Sequence, residues 1–254
     1  MLLFLTTIPY ITIFLFGITI GSFLNVCIYR IPLGESIVTA PSHCMTCGQK
    51  LKWYDMVPVF SWLVLGGKCR NCKSKISAQY PIIEGVNGIL YVLVCVVNGL
   101  NWSSVIYCFM ASALLVLSII DWRTFEIPFC LNVFLFGLGV AAVVLDRGNL
   151  VEHLIGMICV SGLLEVIYLV SGGSAIGGGD VKLMLSCGLI LGWRLILLAF
   201  LLGCIIGSIV HIVRMKVSKT GHVLAMGPYL SAGIFLAALW GNAWIGWYLS
   251  KLGL

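Results

Sequence analysis

Eight apolar runs, of which the sixth is short, restrict this chain to the folds of a membrane protein. A helix needs about 20 apolar residues to cross a bilayer, and 61% of this chain is hydrophobic while only 9% is charged. The runs lack the strict alternation of a transmembrane β-barrel. The sequence therefore predicts an all-α polytopic membrane protein of about eight transmembrane helices. The predicted spans are Leu2 to Cys27, Tyr80 to Val97, Ser103 to Ile120, Pro128 to Leu145, Val151 to Val170, Val181 to Gly192, Ile196 to Val213 and Val223 to Trp247.

The basic residues predict how these spans are oriented. Seven of the fifteen Lys and Arg residues lie between the first and second spans, and the positive-inside rule places that segment in the cytoplasm. Alternation then puts five more inside, including Lys219, and leaves Arg147, Arg194 and Lys251 outside. The amino terminus is predicted to lie outside. Because the net charge of +6 follows from this loop asymmetry, and no basic and aromatic nucleic-acid module is present, we expect a lipid bilayer and no nucleic acid as partner.

Two aspartates are predicted to meet at the cytoplasmic face. Asp121 follows the third span, which runs inward, and Asp180 precedes the sixth, which runs outward. Ionisable groups at membrane depth are costly and commonly functional. Two carboxyl groups in one site can divide the roles of general base and general acid, which is the chemistry of an aspartic protease. The alternative for each residue is a capping position at a helix end.

Other polar residues in the spans have simpler interpretations. Glu165 lies deep in the fifth predicted span without a glycine-rich neighbour, and we expect it to make a buried hydrogen bond. The glycines before Asp180, by contrast, offer a flexible backbone that a substrate chain can approach.

Four of the eleven cysteines form two C-x2-C pairs in the segment between the first two spans. Cys44 and Cys47 form the first pair and Cys69 and Cys72 the second, separated by 21 residues. Two such pairs suit one tetrahedral metal, and zinc is predicted as a structural ion. The alternatives are a redox pair and disulfides, which a reducing cytoplasm disfavours. The stretch from Trp53 to Gly67 is apolar but too short to span, which favours a position in the membrane interface.

Several motifs give the chain a family resemblance along nearly its full length. It resembles the type IV prepilin leader peptidases, bifunctional membrane enzymes that also N-methylate the new amino terminus. The motifs are the two cysteine pairs, "GSFLNVCIYRIP" (Gly21 to Pro32), "GGKCRNCKSKISAQYPIIE" (Gly66 to Glu84), "DWRTFEIP" (Asp121 to Pro128), "GGGDVKL" (Gly177 to Leu183) and "AMGPYLSAG" (Ala225 to Gly233).

The resemblance implies a function and a set of site residues. Asp121 and Asp180 would be the catalytic pair, with Gly177, Gly179 and Lys182 in the active-site loop. The substrates would be prepilins or pseudopilins of type IV pilus and type II secretion systems, cut on the cytoplasmic side of the bacterial inner membrane after the glycine that ends a short basic leader. S-adenosylmethionine would be the methyl donor. The expected domains are residues 1–29 (first helix), 30–79 (tetracysteine insert) and 80–254 (membrane peptidase core).

Some positions depart from the family pattern or leave its second activity unplaced. Phe129 stands where a polar residue is common, and Met56 replaces an asparagine. No glycine-rich motif of a Rossmann methyltransferase is present. Glu84 and Gly88 are candidates for the methyl-transfer site, although packing between membrane helices is the simpler explanation of Gly88.

Other functions are compatible with parts of this pattern. A peptidase of the same fold without methyl transfer would carry the same aspartates. A secondary transporter could use them as an ion relay at a broken helix, but the pair is predicted near one face and no inverted repeat is evident. A zinc-knuckle scaffold would leave the glycine-aspartate loop without a purpose. No feature of the sequence indicates an oligomeric state.

Overall fold

The computed structural model describes residues 2–39, 41–218 and 224–253 and is all-helical over these ranges. The described residues form nine α-helices. They are α1 (Leu2–Arg30), α2 (Phe60–Val64), α3 (Gln79–Asn98), α4 (Trp102–Thr124), α5 (Phe129–Leu145), α6 (Leu150–Val170), α7 (Gly178–Leu191), α8 (Trp193–Ser218) and α9 (Gly227–Leu252). The predicted all-α fold is therefore confirmed, and the tetracysteine segment lies between α1 and α3 as expected.

Each predicted span corresponds to one helix, but not every helix is long enough to cross a bilayer unaided. By length and apolar composition six helices qualify, namely α1, α3, α4, α6, α8 and α9. Helix α5 is a shorter apolar helix of 17 residues, and α7 has only 14. The chain is thus a multi-pass membrane protein, and the count of eight spans stays a prediction. Val223 and Lys219 lie outside the described residues.

The backbone forms two compact units, residues 1–96 and residues 97–254. In the first unit α1 and α3 cross closely at glycines. A Cβ on Gly17 would lie 2.7 Å from the Cα of Gly88, and one on Gly21 would lie 2.7 Å from the Cα of Glu84. The Asn87 side chain seals this crossing by donating a 2.8 Å hydrogen bond to the Gly17 carbonyl. Small residues at such positions let membrane helices approach and gain van der Waals contact.

The second unit is a bundle of α4 to α9 in which α7 packs against α5, α6 and α8. Helix α7 is almost entirely buried beyond its first turn, with Leu183, Met184 and Cys187 fully enclosed. Gly156 of α6 allows a close approach, because a Cβ there would lie 2.5 Å from the Gly188 carbonyl oxygen. The short α7 is therefore a central element whose start is fixed by the helices around it.

Glu165 corrects one expectation from the sequence. Its side chain is exposed on the outer surface of α6, so the expected buried hydrogen bond is wrong. The neighbours Leu163 and Val166 are exposed as well, and this stretch of α6 has its inner face at Leu164, one residue earlier in the helical turn. The apolar run around Glu165 is too uniform for the sequence to show which side of the helix faces inward.

Candidate active site and metal centre

Asp121 lies in the last turn of α4 and is almost fully buried, with 5% of its surface exposed. Its Oδ2 accepts a 2.9 Å hydrogen bond from the backbone N–H of Gly227, the first residue of α9. The free N–H groups and positive dipole end of a helix favour a carboxylate at this place. A Cβ on residue 227 would lie 2.6 Å from the same oxygen, so only glycine fits there.

The chain turns sharply after Asp121 and brings three more residues back to the same place. Phe125 ends α4 in the left-handed conformation, with φ of 56° and its N–H bonded to the Asp121 carbonyl. The Thr124 hydroxyl donates to the Ile120 carbonyl at 3.0 Å. This reversal directs Glu126 and Ile127 towards the loop that precedes α7.

Asp180 is the third residue of α7, and the glycines before it are explained by contacts. Gly177 caps the helix and its carbonyl accepts the Asp180 N–H at 3.1 Å. A Cβ on Gly179 would lie 2.9 Å from the Cβ of Ile127, so this glycine lets the two loops meet. A Cβ on Gly178 would meet nothing closer than 3.7 Å. The Gly179 position is therefore sterically constrained and the Gly178 position is not, while a Cβ on Gly177 would lie 3.3 Å from Asp180 Oδ2.

The two loops enclose a cavity of about 320 Å³ that holds both aspartates. Its walls are Asp121, Phe125, Glu126, Ile127, Gly177, Gly178, Gly179 and Asp180. Asp180 Oδ1 is buried and finds no hydrogen-bond partner among the described residues, and an ionised Asp121 acts on it electrostatically. Two carboxyl groups this close cannot both ionise readily, so the pair is suited to holding one proton between them.

Lys182 follows Asp180 by two residues in α7 and makes a different contact. Its Nζ is 5.4 Å from the centroid of the Phe129 ring, and it is absent from the walls of the cavity. Phe129, where the family often has a polar residue, thus holds the ammonium by a cation–π contact. Lys182 belongs to α7 itself, and its predicted role in the active-site loop stays a prediction.

The four cysteines of the insert converge on one point. Their Sγ atoms all lie within 4.8 Å of one another, and Cys44 and Cys72 are separated by 3.8 Å. Each pair sits in a knuckle closed by an isolated antiparallel bridge, His43 with Lys50 and Lys68 with Lys75. A metal held at about 2.3 Å by four thiolates needs sulfur atoms about 3.8 Å apart. The cluster can therefore hold a metal ion.

Both knuckles use the same backbone device. In the first, Gly48 has φ of 69° and donates its N–H to the Cys44 carbonyl at 2.8 Å. In the second, Lys73 has φ of 59° and donates to the Cys69 carbonyl at 3.0 Å. Backbone N–H groups in each turn also bond to sulfur, those of Thr46 and Cys47 to Cys44 and that of Ser74 to Cys72.

These N–H groups change the acidity of the thiols. Backbone N–H groups of Cys47 and Thr46 lower the pKa of Cys44 from 9.0 to about 6. The Ser74 hydroxyl and backbone N–H lower the pKa of Cys72. Since the thiolate is the form that binds metal, the site is prepared for a cation at neutral pH.

Glu84 and Gly88 belong to α3 in the first unit. Glu84 is buried, and its Oε2 accepts a 2.6 Å hydrogen bond from the N–H of Val59, which precedes α2. A Cβ on Gly88 would lie 2.8 Å from Phe14 and Ile18 of α1. Gly88 thus has a clear packing role, and Glu84 has a partner that the sequence did not indicate.

Gly227 is the residue that analysis of the sequence missed. It lies within the quoted motif "AMGPYLSAG", but no role was attached to it. The available signal was Gly-Pro at the start of a helix, where free N–H groups are expected. Its target, Asp121, is 106 residues away and could not be inferred.

Comparison with known proteins adds an independent observation. The model of the bacterial peptidase A24 N-terminal domain matches residues 15–98, and the model of the type IV leader peptidase family matches residues 108–212. A prepilin leader peptidase/N-methyltransferase of Xanthomonas campestris is 30% identical, over 94% of this chain and 93% of its own length. The chain belongs to the type IV leader peptidase family.

Two other relatives of this leader peptidase family member have the same name. The Pseudomonas aeruginosa protein is 29% identical over 94% of this chain and 93% of its own length. The Myxococcus xanthus protein is 33% identical over 82% of this chain and 64% of its own length. No solved structure matches. The two family models divide the site residues, the first covering the cysteines and Glu84 and the second covering both aspartates. The predicted family membership is confirmed.

Proposed function

We propose that this protein is a membrane aspartic endopeptidase that removes the leader of prepilin-like or pseudopilin substrates, and that it then N-methylates the new amino terminus. The observation that carries the peptidase proposal is the shared cavity, whose walls include Asp121, Asp180 and the three glycines that precede Asp180. The methylation is supported by the names of the relatives, each a prepilin leader peptidase/N-methyltransferase.

The geometry suits a division of roles between the two aspartates. Asp121, which accepts the Gly227 N–H, is the carboxylate that takes a proton from water while the water oxygen attacks the scissile carbonyl carbon. Asp180, with one oxygen unpartnered, carries the shared proton and gives it to the developing oxyanion. When the C–N bond breaks, the leaving nitrogen takes the proton that Asp121 received. One hydroxyl group of the intermediate returns its proton to Asp180 as the new carboxyl group forms. The side-chain-free backbone at Gly177 to Gly179 leaves room for an extended substrate chain.

The metal and the methyl donor complete the proposal. Zinc is the ion we assign to Cys44, Cys47, Cys69 and Cys72, because four thiolates in a closed tetrahedral set are typical of structural zinc. S-adenosylmethionine would supply the methyl group that is transferred to the new amino terminus. Glu84 and Gly88 remain our candidates for that activity, and Gly177, Gly179 and Lys182 for the active-site loop.

The remaining assignments concern placement. We place the protein in the bacterial inner membrane with its amino terminus outside and the aspartates facing the cytoplasm, because most basic residues fall in the loops on that side. We divide it into a first helix (residues 1–29), a metal-binding insert (30–79) and a membrane peptidase core (80–254).

The proposal is tested by incubating the protein in membranes with a model prepilin and S-adenosylmethionine. Mass spectrometry of the product should show a cut directly after the leader glycine and one added methyl group. Asp121→Asn and Asp180→Asn should each abolish the cut. Glu152→Gln, which changes an exposed carboxylate paired only with Arg194 at 3.9 Å, is the matched control and should cleave normally.

Two results would decide against parts of this proposal. Cleavage by either asparagine variant would remove the aspartic mechanism. A correct cut without a methyl group would mean that the protein is a peptidase without methyltransferase activity.

Zinc content, measured by metal analysis of purified protein, should be one ion per chain and should be lost in Cys69→Ser.

A further inference from the structure

Helix α2 presents an apolar face that is exposed among the described residues of the first unit. Phe60, Leu63 and Val64 share one side of the helix, and 55%, 59% and 82% of their surfaces are exposed. The opposite side is occupied, because the Trp62 ring packs over Gly67 and its Nε1 donates to the Ile76 carbonyl at 3.3 Å. The helix is therefore oriented by its inner side, and its outer face is left open.

Glu84 fixes the start of this helix beside α3. The Val59 N–H that it accepts at 2.6 Å belongs to a residue with φ of 63° and ψ of −53°, a conformation that is costly for a β-branched side chain. The Phe60 N–H is bonded to the Pro58 carbonyl across the same residue at 2.6 Å. Because a buried carboxylate holds this strained turn, the start of α2 is fixed at one place beside α3.

The tether also sets the level of α2 along α3. Helix α3 is one of the helices able to cross a membrane and begins at Gln79. Glu84 is five residues further, which is about 7.5 Å at 1.5 Å per residue. Interfacial helices bury their apolar side about 5–10 Å into the boundary between headgroups and acyl chains. Helix α2 thus starts beside the first turns of a helix able to cross a membrane, a place that suits an interfacial helix.

The charges around α2 suit a negatively charged surface. The segment from residue 30 to residue 79 carries seven Lys and Arg residues and two acidic residues. One of the two, Asp55, is paired with Arg70 at 2.8 Å. Lys52 and Lys68 flank the segment that contains α2, and both are exposed. Basic residues next to an apolar interfacial helix bind anionic lipid headgroups.

We propose that Phe60, Leu63 and Val64 of α2 form a lipid-binding face that inserts into the membrane interface among anionic lipids, and that Glu84 is the positioning residue that holds it there. This face is called the α2 lipid face below. The inference does not depend on the peptidase activity, because it concerns only contacts within residues 1–96 and the bilayer.

The experiment places a photo-crosslinking amino acid at Leu63 of the full-length protein, reconstituted in vesicles of phosphatidylglycerol and phosphatidylcholine. Lipid adducts are then counted by mass spectrometry. The matched control is the same amino acid at Val38, which is 84% exposed in the same insert but outside α2. We expect at least a fivefold higher yield of lipid adducts at Leu63, with phosphatidylglycerol enriched above its fraction in the vesicle.

A second pair of variants tests the tether. Glu84→Ala should lower the adduct yield at Leu63 severalfold, whereas Glu84→Gln, which keeps an acceptor oxygen for Val59, should retain it. Equal yields at Leu63 and Val38, or crosslinks from Leu63 to protein in place of lipid, would overturn the lipid face. An unchanged yield in Glu84→Ala would overturn the role of Glu84. Since the readout is a lipid adduct, loss of cleavage or methylation leaves these outcomes unaffected.

Discussion

Asp121 and Gly227 are joined by a 2.9 Å hydrogen bond between the Asp121 side chain and the first backbone N–H of α9. This contact ties the carboxylate at the end of one helix to the start of another that follows 106 residues later. It gives Asp121 a fixed orientation inside the cavity, and it explains why α9 begins with a glycine at position 227.

Gly227→Ala should therefore impair cleavage. The new Cβ would lie 2.6 Å from Asp121 Oδ2 and would push the carboxylate away from its donor. Hydrogen bonds to charged groups contribute about 1.5–3 kcal/mol, so kcat/KM for a model prepilin should fall by about 10- to 100-fold. Gly246→Ala in the same helix, where a Cβ meets nothing within 4 Å, should cleave like the wild type. Equal activity of the two variants would contradict the proposed role of this contact.

Alanine substitutions at two neighbouring glycines of the loop should have different effects on the cleavage rate. Gly179→Ala would place a Cβ 2.9 Å from that of Ile127 and separate the loops that form the cavity, while Gly178→Ala makes only an ordinary contact with Tyr168 at 3.7 Å. We expect the first to reduce the cleavage rate by at least about tenfold, since small misplacements of catalytic groups are costly. The second should stay within about twofold. Rates measured on folded protein in membranes check this, and a larger loss in Gly178→Ala would contradict it.

The crossing of α6 and α7 should dominate the stability of the second unit. Gly156→Ala would bring a Cβ to 2.5 Å from the Gly188 carbonyl oxygen, and overpacking of this kind costs about 1–3 kcal/mol. Gly162→Ala in the same helix meets only its own Ile158 at 3.4 Å and should be neutral or slightly stabilising, because alanine favours helices. Thermal unfolding in detergent measures both. Similar melting temperatures would show that the crossing relaxes at little cost.

The thiols of the first knuckle should react in a defined order with pH. Backbone N–H groups lower the pKa of Cys44 to about 6. Although the Gln49 N–H lowers it, burial and the neighbouring thiols of Cys44 and Cys72 raise the pKa of Cys47 above 9.0. In metal-stripped protein, alkylation of Cys44 should accelerate as the pH rises through about 6 and that of Cys47 only above 9. Peptide mapping of alkylated protein checks this order, and labelling of Cys47 before Cys44 would be the contrary result.

The same acidity gives folding a pH dependence in the metal-stripped protein. A thiol with a folded-state pKa of about 6 and an ordinary value of 9.0 stabilises the folded form fully above pH 9. This contribution declines as the pH falls and is absent below about 6. The insert should therefore lose order on acidification, which hydrogen exchange at Cys44 and Gly48 can follow.

Sequence alone predicted the elements of the site better than their contacts. Alternation of spans put Asp121 and Asp180 at one end of their helices, because a span reverses direction each time the chain crosses, and one cavity contains both. The contact from Gly227 to Asp121 was out of reach, since it joins segments with no local pattern in common. The Val59 to Glu84 hydrogen bond was out of reach as well, because it depends on how the insert folds back on α3.

The ends of two helices also differ from the predicted ends of their spans. The first span was predicted to end at Cys27, yet α1 continues to Arg30, since backbone hydrogen bonds persist after the apolar run ends. Helix α7 begins at Gly178, three residues before the predicted Val181. There the apolar pattern carries no information, because the first turn consists of glycines and Asp180.

The two cysteine knuckles are each closed by bonds within seven or eight residues, such as the one from Cys44 N–H to the Gln49 carbonyl at 2.9 Å. Each can therefore fold without the other, and a bound ion would join two folded pieces. It would close the loop of 21 residues that separates Cys47 from Cys69 and contains α2, and the lost conformational entropy of the unfolded chain would stabilise the closed loop by about 3 kcal/mol. Removal of the ion by a chelator would then release this loop and leave both knuckles folded, so the insert can change between a closed and an open loop without unfolding.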